Sequence, residues 1–164
     1  MRYVMKQKLF SWGDDFTIQD DAGRDAFFVD GKAISLGSQL SFRDLSGREL
    51  ALIKQRVVSL KPTYEIYRDG AVAAVVTKAL FTFLHCQFSV DVPGADDLHA
   101  SGNLTDHEYA ITRGDRQVAT VSKQWFTLAD TYGVDVADGE DEVLLLAGTV
   151  VIDMCCHPDG GHRH

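Results

Sequence analysis

The chain has 164 residues, enough for one domain that buries about 70% of the surface its unfolded form exposes. The net charge of -8 argues against nucleic acid as a partner, because affinity for phosphate backbones comes mainly from Lys and Arg. No apolar run has the length of a membrane span, and the N-terminus carries no apolar secretory signal. The three cysteines form no spaced disulfide framework, so we expect a cytoplasmic protein.

Short alternating segments fill most of the chain and predict antiparallel strands. Phe16 and Ile18 alternate with polar neighbours, as do Tyr64 and Ile66, and turn residues separate such segments throughout. The segment from Tyr64 to Thr82 is echoed 45 residues later, with the same strand phase. Strands are predicted near residues 3–10, 15–20, 25–30, 38–44, 48–56, 63–68, 71–78, 84–91, 98–104, 107–113, 116–123 and 131–136.

One helix-length segment, residues 143–156, follows the strands and is apolar on every side. Fourteen residues reach only ~21 Å as a helix, short of the ~30 Å hydrocarbon core of a bilayer. We therefore expect protein to surround the helix. Asp138 or Gly139 is the expected N-terminal cap, and the acidic residues that follow suit the positive end of the helix dipole.

Closure of the sheet is the natural solution for so many strands, because it removes the exposed edges. A barrel of that size is too wide for its own side chains to fill, and the apolar helix supplies the missing filling. The sequence thus predicts a mainly β fold: a closed antiparallel barrel of about twelve strands around a buried C-terminal helix. Residues 1–156 would form this single domain, and residues 157–164 a flexible tail.

Several separated motifs have an order and spacing that match a known family. They are Met5-Lys6-Gln7-Lys8-x-Phe10-Ser11-Trp12-Gly13-Asp14, Val29-Asp30-Gly31-Lys32, Ser35-Leu36-Gly37, Ser59-Leu60-x-Pro62-x-Tyr64-x-Ile66, Val121-Ser122-Lys123-x-Trp125-Phe126 and Asp130-Thr131-Tyr132-Gly133-Val134-Asp135. With these motifs the sequence resembles the LURP-one-related family of the tubby C-terminal-like superfamily, which also includes the phospholipid scramblases. The resemblance implies the same barrel around a helix and no enzymatic activity, and tubby proteins bind phosphoinositides through basic surface residues.

Several cationic residues are candidates for a site that binds anionic headgroups. Such a site needs converging cations, ideally with the planar fork of an arginine. The alternative interpretation is that these residues are solvated strand ends, where Lys also protects edges from aggregation. The candidates are Lys54, Arg56, Lys61, Lys78 and Lys123, with Lys6 and Lys8 nearby.

A calcium site is a weaker hypothesis, based on Asp135, Asp138 and Glu140 before the last helix. Calcium needs six to eight converging oxygens, and this spacing lacks the full pattern of a calcium-binding loop. Helix capping explains much of the acidic run. The cysteines and histidines of the C-terminal segment, Cys155, Cys156, His157, His162 and His164, likewise lack zinc-site spacing, so we expect no metal.

No catalytic motif is present in the sequence. Adjacent His85 and Cys86 would point to opposite faces of a strand, which argues against a nucleophile and base pair. We therefore expect a non-enzymatic binding or scaffold module without a cofactor. The alternative is a peripheral membrane module that binds anionic phospholipid or phosphoinositide headgroups through the basic residues; a protein partner is also open.

Overall fold

The computed structural model describes residues 1–6, 16–34, 37–79, 87–104, 106–126 and 131–156. These residues form twelve strands and one helix. They are β1 Arg2–Lys6, β2 Phe16–Asp20, β3 Asp25–Ile34, β4 Gly37–Arg43, β5 Glu49–Gln55, β6 Thr63–Arg68, β7 Ala71–Lys78, β8 Phe88–Asp91, β9 Leu98–Asn103, β10 Glu108–Arg113, β11 Arg116–Ser122, β12 Thr131–Val136 and α1 Glu142–Cys156.

The strands form a closed antiparallel barrel in which each strand pairs with its neighbours in sequence. The first and last strands complete the ring, with Arg2 opposite Asp135 and Lys6 opposite Thr131. Closure pairs the backbone on both sides of every described strand, which removes the edges that promote aggregation. The predicted fold class is confirmed.

The barrel has two different ends. We call one the turn end, because it carries the short turns after β2, β4, β6, β8 and β10 and the start of α1. In the β4–β5 turn the Asp44 carboxylate accepts hydrogen bonds from the backbone N–H groups of Ser46 and Arg48, at 2.9 and 3.0 Å. Asp20 makes the same contacts in the β2–β3 turn, as the sequence repeat predicts. The opposite end, the loop end, carries the 56–62 loop and the last turn of α1.

The helix runs from the turn end to the loop end through the barrel, and its fifteen residues span ~22 Å. Leu144 through Met154 are all buried. The inward-facing strand side chains that surround the helix alternate along each strand, as in Ala51 and Ile53. The apolar helix was therefore correctly predicted to fill the core.

Two details of the sequence-based prediction are wrong. The helix is capped by Asp141, whose Oδ1 accepts a hydrogen bond from Leu144 N at 3.2 Å, and neither Asp138 nor Gly139 does so. The helix is also not apolar on every side, since Asp153 is among its buried residues. Most strand limits agree within two residues, although residues 7–10 and 84–86 of two predicted strands lie outside the described residues.

Candidate functional site

Four of the predicted cationic residues meet at one corner of the loop end. Lys54 lies near the end of β5, Lys78 ends β7, and Arg56 and Lys61 lie in the loop between β5 and β6. Backbone hydrogen bonds hold this arrangement: Arg56 N donates to Thr63 O at 2.9 Å, and Lys78 N donates to Pro62 O at 3.0 Å. We call Lys54, Arg56, Lys61 and Lys78 the cationic corner.

One carboxylate, Glu65, lies within the cationic corner. Arg56 donates to its Oε1 from both Nε and Nη2, at 2.9 and 2.7 Å. The hydroxyl of Tyr67 also donates to Glu65. The hydrogen bond from Tyr67 and then that from Arg56 hold the pKa of the Glu65 carboxyl below its ordinary value. The Lys54 ammonium lies over the Tyr67 ring, 5.1 Å from its centroid.

Positive charge is left over at the cationic corner. Across the described ranges, neither Lys61 nor Lys78 has a carboxylate within ion-pair distance, and Lys61 is exposed. Among the described residues of the cationic corner, four cations are therefore accompanied by one carboxylate, Glu65. Such an excess attracts anions, and the guanidinium of Arg56 offers the planar fork that suits a phosphate.

Lys123 does not join the cationic corner. It follows β11, which is four strands from β7 around the barrel, or about 19 Å at the usual strand spacing. Its backbone N–H donates to the Glu108 carboxylate at 2.9 Å, which fixes the turn after β11. Lys6 ends β1 at the same end of the barrel, and Lys8 lies outside the described residues.

Sequence reasoning missed an apolar tip beside the cationic corner. In the loop between β5 and β6, the exposed fractions are 59% for Val57, 92% for Val58 and 96% for Leu60. We call these three residues the apolar tip. The available signal was three aliphatic residues between Arg56 and Lys61, in a strand connection where polar residues are usual.

The predicted calcium candidates are separated by their contacts with arginines. Glu140 is held at the turn end by Arg113, at 2.7 Å, and by Arg116, one on each carboxylate oxygen. Asp135 lies 3.9 Å from the guanidinium of Arg2. Asp138 lies between them in sequence and is exposed. No group of three or more potential metal ligands occurs within the parts of the chain that the structure describes.

A buried polar pair joins the helix to the barrel wall. His107 Nε2 contacts Asp153 Oδ1 in a hydrogen bond, and each side chain is 1% exposed. The His107 ring stacks on Tyr132, with centroids 4.1 Å apart. Burial and then the charge of Asp153 raise the pKa of Tyr109 and of Tyr132 well above the ordinary value. We call these four residues the buried junction.

The buried junction was missed because its residues look ordinary in sequence. His107 was predicted to begin a strand, yet it lies in the turn before β10 with a φ of 53°. This left-handed backbone directs its side chain into the barrel. The single carboxylate within an apolar helix was the available signal. The contact between His107 and Asp153 joins the last turn of the helix to the turn before β10.

A shallow groove of about 230 Å³ runs along the outer face of the barrel from the cationic corner. Lys54 and Tyr67 line one part of it, and Glu49 and Asp69 line another. The carboxylates of Glu49 and Asp69, which lie farther from the cationic corner, would repel an anion in the groove. An anionic ligand is therefore better placed at the loop end than along the groove.

The remaining candidates lie near the end of the helix or outside the description. Cys155 and Cys156 are half-buried, and the pKa of Tyr64 is raised by burial and by its contact with Cys155. His85, Cys86 and residues 157–164 lie outside the described residues. No helix in the described part of the chain has the length and hydropathy needed to cross a bilayer.

The sequence is similar to that of known proteins along nearly its whole length. The sequence profile of the LURP-one-related family matches residues 1–153. One relative, the YxjI protein of Bacillus subtilis (strain 168), which bears the description uncharacterized, is 36% identical over 155 residues, or 94% of this chain and 93% of that protein. The match extends over nearly the whole chain and supports the resemblance predicted from sequence. The chain belongs to the LURP-one-related family.

Proposed function

We propose that the protein is a non-enzymatic binding module whose cationic corner holds phosphate-bearing anionic headgroups. The observation that carries the proposal is that Lys54, Arg56, Lys61 and Lys78 lie on adjacent strands and their connection at one corner of the loop end, where Glu65 is the carboxylate that pairs with Arg56. The distribution of charge over the barrel supports it, since the turn end carries acidic residues that an anionic surface would repel. Asp69, Asp96, Asp97, Asp115 and Asp138 are among them.

The expected affinity follows from the number of cations. Each Lys or Arg near an anionic surface contributes about 1 kcal/mol, so four contribute about 4 kcal/mol. This corresponds to a dissociation constant of about 1 mM for the electrostatic part alone. A headgroup with several phosphates would bind more tightly than this, and Arg56 would add a bidentate contact if phosphate displaced Glu65.

The interior of the barrel supports a binding role over a catalytic one. The pair with acid–base chemistry, His107 and Asp153, is sealed between α1 and the wall, where a substrate has no access. The helix occupies the centre, where a barrel of this size would otherwise enclose a ligand. Recognition is therefore assigned to the outside of the loop end.

The direct test is calorimetric titration with inositol trisphosphate, a soluble polyphosphate headgroup, at two salt concentrations. Affinity should fall as salt rises, because binding releases counterions. Lys61→Glu or Lys78→Glu should weaken binding about 30-fold, since each reversal removes one attraction and adds one repulsion, together about 2 kcal/mol. Glu65→Gln should strengthen binding by releasing Arg56.

Lys123→Glu provides the matched control, with the same charge reversal at the same end of the barrel. Its affinity should stay within about twofold of the unaltered protein, because about 19 Å exceeds the screening length at physiological salt. Equal losses for Lys61→Glu and Lys123→Glu would show a general charge effect and contradict a site at the corner. Absence of binding by the unaltered protein would also refute the proposal.

A further inference from the structure

The apolar tip is exposed to an extent that the barrel itself does not explain. Val58 and Leu60 are 92% and 96% exposed, although valine and leucine are among the residues most often buried. The other large apolar residues that the structure describes as exposed lie at the turn end, namely Met1, Leu45 and Val72. Within the described residues, the tip is thus the one group of large exposed apolar side chains at the loop end.

Hydrogen bonds at its base hold the tip in position. The Thr63 hydroxyl donates to Lys61 O at 2.9 Å and lies 3.1 Å from the Ser59 hydroxyl. Arg56 N donates to Thr63 O and closes the base of the loop. A braced loop keeps its apolar side chains outside and does not need to be ordered on binding, which favours association.

We infer that Val57, Val58 and Leu60 insert into the interfacial region of an anionic bilayer while the cationic corner contacts the headgroups. This inference rests on the proposed function and names the bilayer as the source of the headgroups. Arg56 and Lys61 flank the tip directly, so insertion of the aliphatic side chains brings both cations to headgroup level. Apolar insertion and anionic attraction are the two contributions that together produce stable peripheral binding.

A bilayer fits the tip better than a protein surface does. A specific protein interface buries more than about 1,000 Å² and has a broad apolar centre. The tip has three aliphatic residues flanked along the chain by Arg56 and Lys61, and its nearest exposed apolar neighbours in the described ranges lie at the other end of the barrel. Lipid accepts such a small projection without a matching cavity, and its anionic headgroups complement the two flanking cations.

Vesicle sedimentation tests the inference. The unaltered protein should sediment with mixed phosphatidylcholine–phosphatidylserine vesicles and much less with pure phosphatidylcholine vesicles. Val58→Ser and Leu60→Ser should each weaken binding to the mixed vesicles at least about tenfold, the loss expected for an inserted aliphatic side chain. Leu45→Ser, at a 64% exposed leucine of the turn end, is the matched control and should leave binding unchanged.

A tryptophan variant of the tip distinguishes binding to lipid from binding to a protein partner. Leu60→Trp should bind the mixed vesicles at least as tightly as the unaltered protein and show a blue-shifted fluorescence on binding, because Trp favours the bilayer interface. A loss of vesicle binding by Leu60→Trp would contradict insertion. Self-association that depends on Val58 and Leu60, in a protein that does not bind vesicles, would also overturn the inference and assign the tip to a second copy.

Titration with inositol trisphosphate distinguishes failure of this inference from failure of the proposed function. Val58→Ser and Leu60→Ser leave every cation in place, so they should bind the soluble headgroup as the unaltered protein does. Normal vesicle binding by both variants would refute insertion while the anion site stands. Loss of soluble headgroup binding by Lys61→Glu, together with normal headgroup binding by Leu60→Ser, would assign the two contributions to separate residues.

Discussion

Replacing Asp153 with leucine is expected to destabilise the protein severely, although it places an apolar side chain in an apolar core. Asp153 accepts its contact from His107 in a region where both side chains are 1% exposed. The substitution leaves the imidazole of His107 buried without that partner. Removing one member of a buried pair typically costs about 3–5 kcal/mol, because the remaining polar group has lost its hydration as well.

The cost is large compared with the stability of a whole domain, which is about 5–15 kcal/mol. With a urea dependence of about 2 kcal/mol per molar, a loss of about 4 kcal/mol lowers the unfolding midpoint by about 2 M. His107→Leu should cost more, because residue 107 has a φ of 53°, and this left-handed conformation disfavours a side chain such as leucine.

The double variant isolates the energy of the pair itself. With both residues changed to leucine, neither polar group remains buried, and the combined loss should be smaller than the sum of the two single losses. Backbone strain at residue 107 is present in both His107→Leu proteins, so it cancels in the coupling energy. Urea unfolding followed by circular dichroism measures the four stabilities. A coupling energy below about 0.5 kcal/mol would refute the role assigned to the buried junction.

Three further changes probe the core and the outer wall. Gly133→Ala should lower stability by about 1–3 kcal/mol, because a Cβ there would lie 2.5 Å from Cε3 of Trp125; an unchanged thermal midpoint would contradict this packing. Gly148→Ala should raise the thermal midpoint through a gain of up to about 1 kcal/mol in helix propensity, since its Cβ meets open space; a lower midpoint would show that the space is occupied. Above about pH 10 the native state keeps protons on Tyr109 and Tyr132 that the unfolded state releases, so stability should fall by about 1.4 kcal/mol per pH unit for each tyrosine; urea midpoints that stay constant above that pH would count against their burial.

The fold was predictable because two strong patterns agree. Strand alternation such as that of Tyr64 and Ile66 specifies which side chains face inward, and a short apolar helix requires surroundings made of protein. Together they leave a filled barrel as the consistent solution. The helix cap was mislocated because Asp138 and Asp141 are both acceptable cap residues in sequence, and the hydrogen bond to Leu144 decides between them.

The grouping of the candidate site was predictable only where its residues are neighbours along the chain. Lys54, Arg56, Lys61 and Lys78 belong to three consecutive strands and their connections, so the hairpins bring them together. Lys123 matched Lys78 in the repeat, but equivalent positions in a closed barrel are related by rotation around its axis and therefore lie apart. The contact between His107 and Asp153 depends on a left-handed turn residue that no strand pattern reveals.

The helix inside the barrel also sets the order in which this protein can mature on the ribosome. All twelve strands are synthesised before the helix that fills them, and β1 must wait for β12 before the ring can close. Until the helix emerges, inward-facing residues such as Ile66 and Val76 have no partner at the centre. The nascent chain thus carries an unfilled apolar sheet until the helix emerges, a state that exposes it to aggregation and to chaperones. The barrel can reach its filled native structure only after all fifteen residues of α1 have been synthesised.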